Sequence, residues 1–290
     1  MIPLLGILVV FGAVILGFTL EGGDFAPLLK PAELVIIAGA AVGTMVTANP
    51  AALLRRTCVR VRRVFGRRRY TRDSWLKTLL MLYGLFDFAR KNGMTKLEEA
   101  TDTPTLNPVF KRYAGLVEDP EVLSFLCDTL RLSTLGVSPM AIESMLEEDI
   151  DIRRGELAAG SGSLVILADA LPGLGIVAAV LGVIITMGSL TGQPSLIGQK
   201  VATALVGTFI GILSSYGLVA PVAAGLEKMD YEELQYYETL RAGLMAYVRG
   251  MPAAICVEYA RRSIPTELRP DFEVVDKARR QGEKFRQIDH

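Results

Sequence analysis

Apolar and polar positions follow one another along this chain in long blocks. Four blocks, 1–20, 34–54, 170–190 and 201–226, contain no charged residue. Each is about as long as the helix of roughly 20 apolar residues that crosses a bilayer. Helices buried in water-soluble cores are usually shorter, so all four blocks are read as membrane spans. The first has no basic stretch before it and no small-x-small cleavage site before Glu21, which argues for a retained span and against a removed signal peptide.

Between the paired spans the pattern changes to the spacing of amphipathic helices. In 73-DSWLKTLLMLYGLFDFARK-91, Leu76, Leu79, Tyr83, Phe86 and Arg90 recur on one face, with Asp73 as the expected N-cap. Leu123, Leu126, Cys127 and Leu130 repeat the pattern in 120-PEVLSFLCDTLRL-132. Ser138 followed by Pro139 gives a cap and a first-turn proline in the order that opens a helix. That helix meets only Gly160 and Gly162 before the third span, and the fourth span runs past Glu227 without a proline. Both are therefore expected to continue out of the membrane as long helices. Pro265 and Pro270 are expected to end the ordered tail, leaving 271–290 charged and mobile.

The expected fold is thus an all-α integral membrane protein with four transmembrane helices, the third and fourth extending into a helical cytoplasmic domain. Its parts are 1–54 (spans one and two), 55–163 (cytoplasmic loop), 164–226 (spans three and four) and 227–290 (cytoplasmic helix and tail). The chain has 290 residues, 51% of them hydrophobic, and a formal net charge of zero. Its mean hydropathy of +0.37 is too high for an ordinary soluble protein. Charge decides orientation. Of 31 lysines and arginines, only Lys30 and Lys200 lie in the turns between paired spans. Arg55, Arg56, Arg60, Arg62, Arg63, Arg67, Arg68 and Arg69 follow the second span directly. The termini and the middle loop are therefore placed in the cytoplasm, with the arginines meeting anionic lipid headgroups and not nucleic acid.

Several chemistries are set aside. Cys58, Cys127 and Cys256 are far apart and show neither a disulfide framework nor metal-ligand spacing. The only histidine is His290, so no nucleophile has an imidazole to activate it, and an enzyme is not expected. Gly173, Gly175 and Ala178 match the spelling of a dinucleotide loop, but inside an apolar run and not at a strand–helix turn. The spans are rich in small residues, Gly39, Gly43, Gly173, Gly175, Gly182, Gly207 and Gly211, which permit close helix packing. Their few hydroxyls, Thr44, Thr47, Thr186, Thr203, Thr208, Ser214 and Ser215, are expected to bond back to their own helices or to line a wet path. No Asp, Glu, Lys, Arg or His lies deep in any span. Ion paths across bilayers normally use an ionisable group, so if this chain conducts ions, a partner supplies the carboxylate.

Three blocks carry a resemblance: 169-DALPGLGIVAAVLGVI-184, 21-EGGDFAPLLKPAELVIIAGAAVGTMVTANP-50 and 204-ALVGTFIGILSSYGLVAPVA-223. In this order they resemble the A subunit of the bacterial flagellar stator, the MotA family. The resemblance implies five A subunits around two B subunits in the bacterial inner membrane, with the ion-binding aspartate on a MotB-like B subunit. It implies contact with the rotor switch protein FliG through Arg90 and Glu98 of 89-ARKNGMTKLEEA-100. It also implies an ion path gated around Asp169, Pro172 and Pro221, although Asp169 would also serve to cap a turn frayed by Pro172. Sodium-driven relatives carry a threonine where this chain has Ala179, while Thr208 is retained, so protons are the expected ion, with no cofactor. An energy-transducing subunit of the ExbB/TolQ kind is the nearest alternative, though its three spans fit poorly. A non-conducting membrane scaffold is a second, and an independent transporter a third.

Overall fold

The computed structural model describes residues 2–23, 25, 28, 31–66, 68–102, 119–187 and 194–288. Asp24, Lys30, Arg67, residues 188–190 of the expected third span and His290 lie outside the described residues. All regular structure among the described residues is helical. In chain order the helices are α1 (Ile2–Leu20), α2 (Pro31–Ala48), α3 (Ala51–Val64), α4 (Arg72–Asn92), α5 (Met94–Asp102) and α6 (Pro120–Thr134). Then follow α7 (Pro139–Met187), α8 (Pro194–Ser214), a π-helical turn (Ser215–Val219), α9 (Ala220–Val248), α10 (Ala253–Ser263) and α11 (Phe272–Ile288). Four helical stretches are long and apolar enough to cross a membrane: Pro3–Leu20, Pro31–Ala48, Pro139–Met187 and Ala204–Val248. The third and fourth continue far beyond bilayer length, as the missing break signals predict.

The chain divides into two compact units, Met1–Arg67 with Gly155–Asp230, and Arg68–Arg154 with Tyr231–His290. The first unit carries the apolar stretches. Its large side chains point outward: Leu4, Leu5, Leu8, Val35, Val42, Ile176 and Ile184 are all exposed within the chain. Facing inward, Ile37, Leu171 and Ala178 form a small cluster with Ile210 and Val219 against it. The second span is shorter than expected. Helix α2 ends at Ala48, and Pro50, which has no N–H to continue it, precedes the separate helix α3. Val64 of α3 packs with Leu164, Val222, Ala223 and Leu226. Within the arginine run, Arg60 is an exception to headgroup contact, because its guanidinium pairs with the buried Asp230 at 2.5 Å.

The second unit is built around large side chains. Trp75, Leu79, Leu82 and Phe86 of α4 meet Leu126 and Leu130 of α6, Ile142 and Ile150 of α7, and Tyr237 and Leu240 of α9. Burying each such side chain contributes about 1.5–3 kcal/mol relative to leaving it in water. Helix α4 begins two residues earlier than expected. Thr71 is the N-cap, accepting from Ser74 N at 3.3 Å while Ser74 Oγ accepts from Thr71 N at 2.7 Å. Asp73, the expected cap, lies in the first turn and pairs with Lys77 at 2.6 Å. Ser138 caps α7 as expected, accepting from Ala141 N at 3.3 Å. Over Phe272–Ile288 the tail is a helix, where its charge suggested a mobile segment. Helix α11 buries Val275, and Arg279 donates to the Tyr83 hydroxyl at 3.1 Å.

Candidate functional site

The prolines of the third and fourth spans sit in different kinds of helix. Pro172 lies inside α7, which continues through it without a break. A proline ring removes the N–H that would bond the carbonyl four residues back, here that of Ala168. Pro221 is in the first turn of α9, directly after the π turn, where Ala220 N reaches Ser215 O five residues back. Widening a helix by one residue is a common way to absorb the mismatch that a proline introduces. Asp169 is exposed and lies in mid-helix, so it caps no frayed turn; that alternative does not hold.

Three of the span hydroxyls show two kinds of hydrogen bond. Thr44 donates to Ala40 O at 2.9 Å and Thr186 to Gly182 O at 2.8 Å, both back-bonds within one helix, as expected. Ser215 does otherwise: its Oγ donates across to Ala168 O of α7 at 2.6 Å. It is 1% exposed. In the sequence only its place six residues before Pro221 sets Ser215 apart from Ser214.

Below this level α7 and α8 meet along a seam of small residues. A Cβ on Gly175 would lie 2.7 Å from Gly207 O, and one on Gly211 2.6 Å from Leu171 O. A Cβ on Gly207 would be 3.1 Å from Ala179 N, and one on Gly175 3.3 Å from Thr208 Cα. Ala179 and Thr208 are thus brought together on one helix contact, with Ala179 buried and Thr208 half-buried. Gly39, Gly43 and Gly173 have nothing within 4 Å of where a Cβ would stand, so they take no part in this packing.

Arg90 and Glu98 lie elsewhere, in the second unit. Arg90 is in the last turn of α4, where a cation also suits the helix dipole. A turn at Gly93, with φ of +83°, leads into α5, which carries Glu98. The corner is anchored by Leu97, Ala100 and Thr101, all buried. Charges around it are paired: Lys91 with Asp87 at 2.9 Å, Lys96 with Glu99 at 2.7 Å, and Arg131 with Asp102 at 2.7 Å. Arg90 and Glu98 are exposed, and neither makes an ion pair with another described residue. Other charges of the unit pack or pair within it. Arg153 stacks over the Tyr237 ring, 4.0 Å from its centroid. Hydrogen bonds from Arg261 and Arg262 hold the Glu258 carboxyl below its usual range.

Residues 4–93 match the family model described as motility protein A N-terminal, and residues 119–239 match that of the MotA/TolQ/ExbB proton channel family. The chain is 35% identical to motility protein A of Escherichia coli over 273 residues, covering 94% of this chain and 92% of that one. It is 34% identical to chemotaxis protein LafT of Vibrio parahaemolyticus over 274 residues, covering 94% and 96%. The fold matches that of the flagellar MotAB stator complex from Bacillus subtilis with a TM-score of 0.73, at 23% identity, covering 91% of this chain and 96% of that one. With relatives this similar along nearly its whole length, the chain belongs to the motility protein A family, within the MotA/TolQ/ExbB proton channel family.

Proposed function

We infer that this chain is the A subunit of a flagellar stator, which with a B subunit forms a channel that turns ion motive force into torque. One observation carries the reading. Among the described residues, the spans hold no acidic, basic or histidine side chain beyond their ends, yet α7 and α8 close tightly on each other, with Asp169 just before Pro172. A conducting path built this way needs a carboxylate from another chain, and a single-span, MotB-like B subunit supplies it. Five copies of this chain around two B subunits fit the family, in the bacterial inner membrane. The basic residues around the long loop support cytoplasmic termini.

The ion is a proton. Ala179, enclosed in the seam, brings no oxygen to the path, and Thr208 brings one hydroxyl. A sodium ion that sheds water needs several oxygens in its place. Torque passes to the rotor protein FliG through Arg90 and Glu98, whose exposed charges are left uncommitted on an anchored corner.

The test is co-expression with a B subunit in a bacterium that has no stator of its own, reading rotation of tethered cells. Rotation is expected only with both chains, and unchanged when external sodium is varied at fixed pH. Torque that tracks sodium would overturn the proton reading. An ion leak through this chain alone would overturn the argument for a borrowed carboxylate.

A further inference from the structure

The hydrogen bond between Ser215 and Ala168 joins two helix irregularities that the chain places 47 residues apart. On one side, Pro172 leaves the carbonyl of Ala168 without its helical donor. A backbone carbonyl left unpaired in an apolar layer is costly. On the other side, the π turn begins at Ser215, whose own carbonyl is taken by Ala220 N. A serine in a regular span tends to bond back to the carbonyl four residues earlier, here that of Gly211. Ser215 gives its hydroxyl to the neighbouring helix. The acceptor is the carbonyl immediately before Asp169, so the bond fixes the lie of the backbone that presents this carboxylate. Span one packs against the same turn: a Cβ on Gly217 would lie 3.2 Å from Val10 Cγ1.

We propose that Ser215 is a positioning residue of the proline hinge, its hydroxyl holding the Ala168 carbonyl that Pro172 frees and so latching span three to span four beside Asp169. The latch has two resting places for one hydrogen. Released from Ala168 O, the hydroxyl regains the back-bond to its own helix, so opening strands no donor, and the carbonyl of Ala168 that it leaves unpaired favours closing. A single hydrogen bond of this kind in a membrane is weak compared with the work done by one charge crossing a physiological potential. An ion step can therefore open the latch, and its closing resets the hinge.

The proposal rests on the stator reading, and the test separates the two. Four forms of the complete A–B complex are compared: wild type, S215A, P172A and the double variant. Replacing Pro172 by alanine restores the N–H that bonds Ala168 O, so the serine should then have nothing left to satisfy. The expected result is that S215A lowers the thermal midpoint of the purified complex in the Pro172 background and leaves it unchanged in the P172A background. An equal drop in both backgrounds would overturn the pairing, whether or not the complex is a motor. In cells, S215A is expected to lower the torque of each stator unit at least twofold, read as the speed step when one unit joins, with S215T recovering it. Wild-type steps for S215A, alongside a positive thermal result, would show a bond that is only structural and would overturn the hinge role. S215C, of similar size with a weak donor, should fall between serine and alanine in both readings, and serves where S215A does not accumulate.

Discussion

In the unit of residues 68–154 and 231–290, helices meet through Trp75, Leu82, Phe86, Leu126, Tyr237 and Leu244, all buried, with aromatic rings in contact. In the unit that carries the spans, α7 and α8 meet through Gly175, Ala178, Gly182, Ala204, Gly207 and Gly211. The large apolar side chains of that unit face away from its interior. The contrast follows from the solvent. Water drives bulky apolar groups together, so the second unit gathers them inside. Lipid is as apolar as leucine and offers no such drive, so helices associate by close backbone approach and by hydrogen bonds between them. A seam of that kind is sensitive to a single added carbon, whereas a core of many large side chains spreads its stability over many contacts.

Three variants sharpen that comparison, in falling order of effect on the fold. Gly211→Val should be the most damaging, because its side chain would start 2.6 Å from Leu171 O and 2.8 Å from Gly175 Cα, both backbone atoms. The chain is expected not to accumulate in membranes, while Gly39→Ala accumulates normally. Equal amounts of the two variants would remove the seam from the account of what holds this unit together.

Glu258→Gln in the second unit should cost about 1 kcal/mol, the upper end of the usual range for an ion pair near a surface. Arg261 and Arg262 donate to this carboxylate at 2.7–2.8 Å. Because folding lowers its pKa from the ordinary 4.5, its contribution is present at neutral pH and disappears as the pH falls below that value. Thermal melts of the variant and wild type should therefore differ at pH 7 and converge once the pH has fallen below the lowered pKa of this carboxyl. A gap that stays constant as the pH is lowered would assign the effect to packing.

Arg90→Glu should leave the melt unchanged, since Arg90 is exposed and supports no ion pair among the described residues. It should nonetheless weaken torque, and reversing an acidic residue on the rotor should restore part of it. Unimpaired swimming in the single variant would remove Arg90 from the rotor contact.

Much of the candidate site is legible in the sequence. Pro172 and Asp169 stand out because a ring and a charge at the mouth of an apolar run are both unfavourable there. Ala179 and Thr208 could be named, but not that one seam holds them together. Asp73 looks like the cap in the sequence, but Thr71, two residues earlier, competes with it and also has Ser74 at the right spacing. In the tail, many charges mask the apolar position that puts Val275 into the core. Gly39, Gly43, Gly173, Gly175, Gly182, Gly207 and Gly211 look equivalent in the sequence, yet only the last four of these touch a neighbouring helix.

What the sequence determined by itself was every property that sums over neighbours in the chain: the four spans, their charge bias, the missing carboxylate and the continuation of two spans as long helices. What the tertiary structure alone decided was which distant groups meet. Ser215 finds Ala168 across 47 residues and Arg60 finds Asp230 across 170. Hydropathy is a local sum, so a short window is enough to read it. The partner of a hydroxyl, a guanidinium or a bare glycine depends on which backbone crosses it, and only the packed chain supplies that.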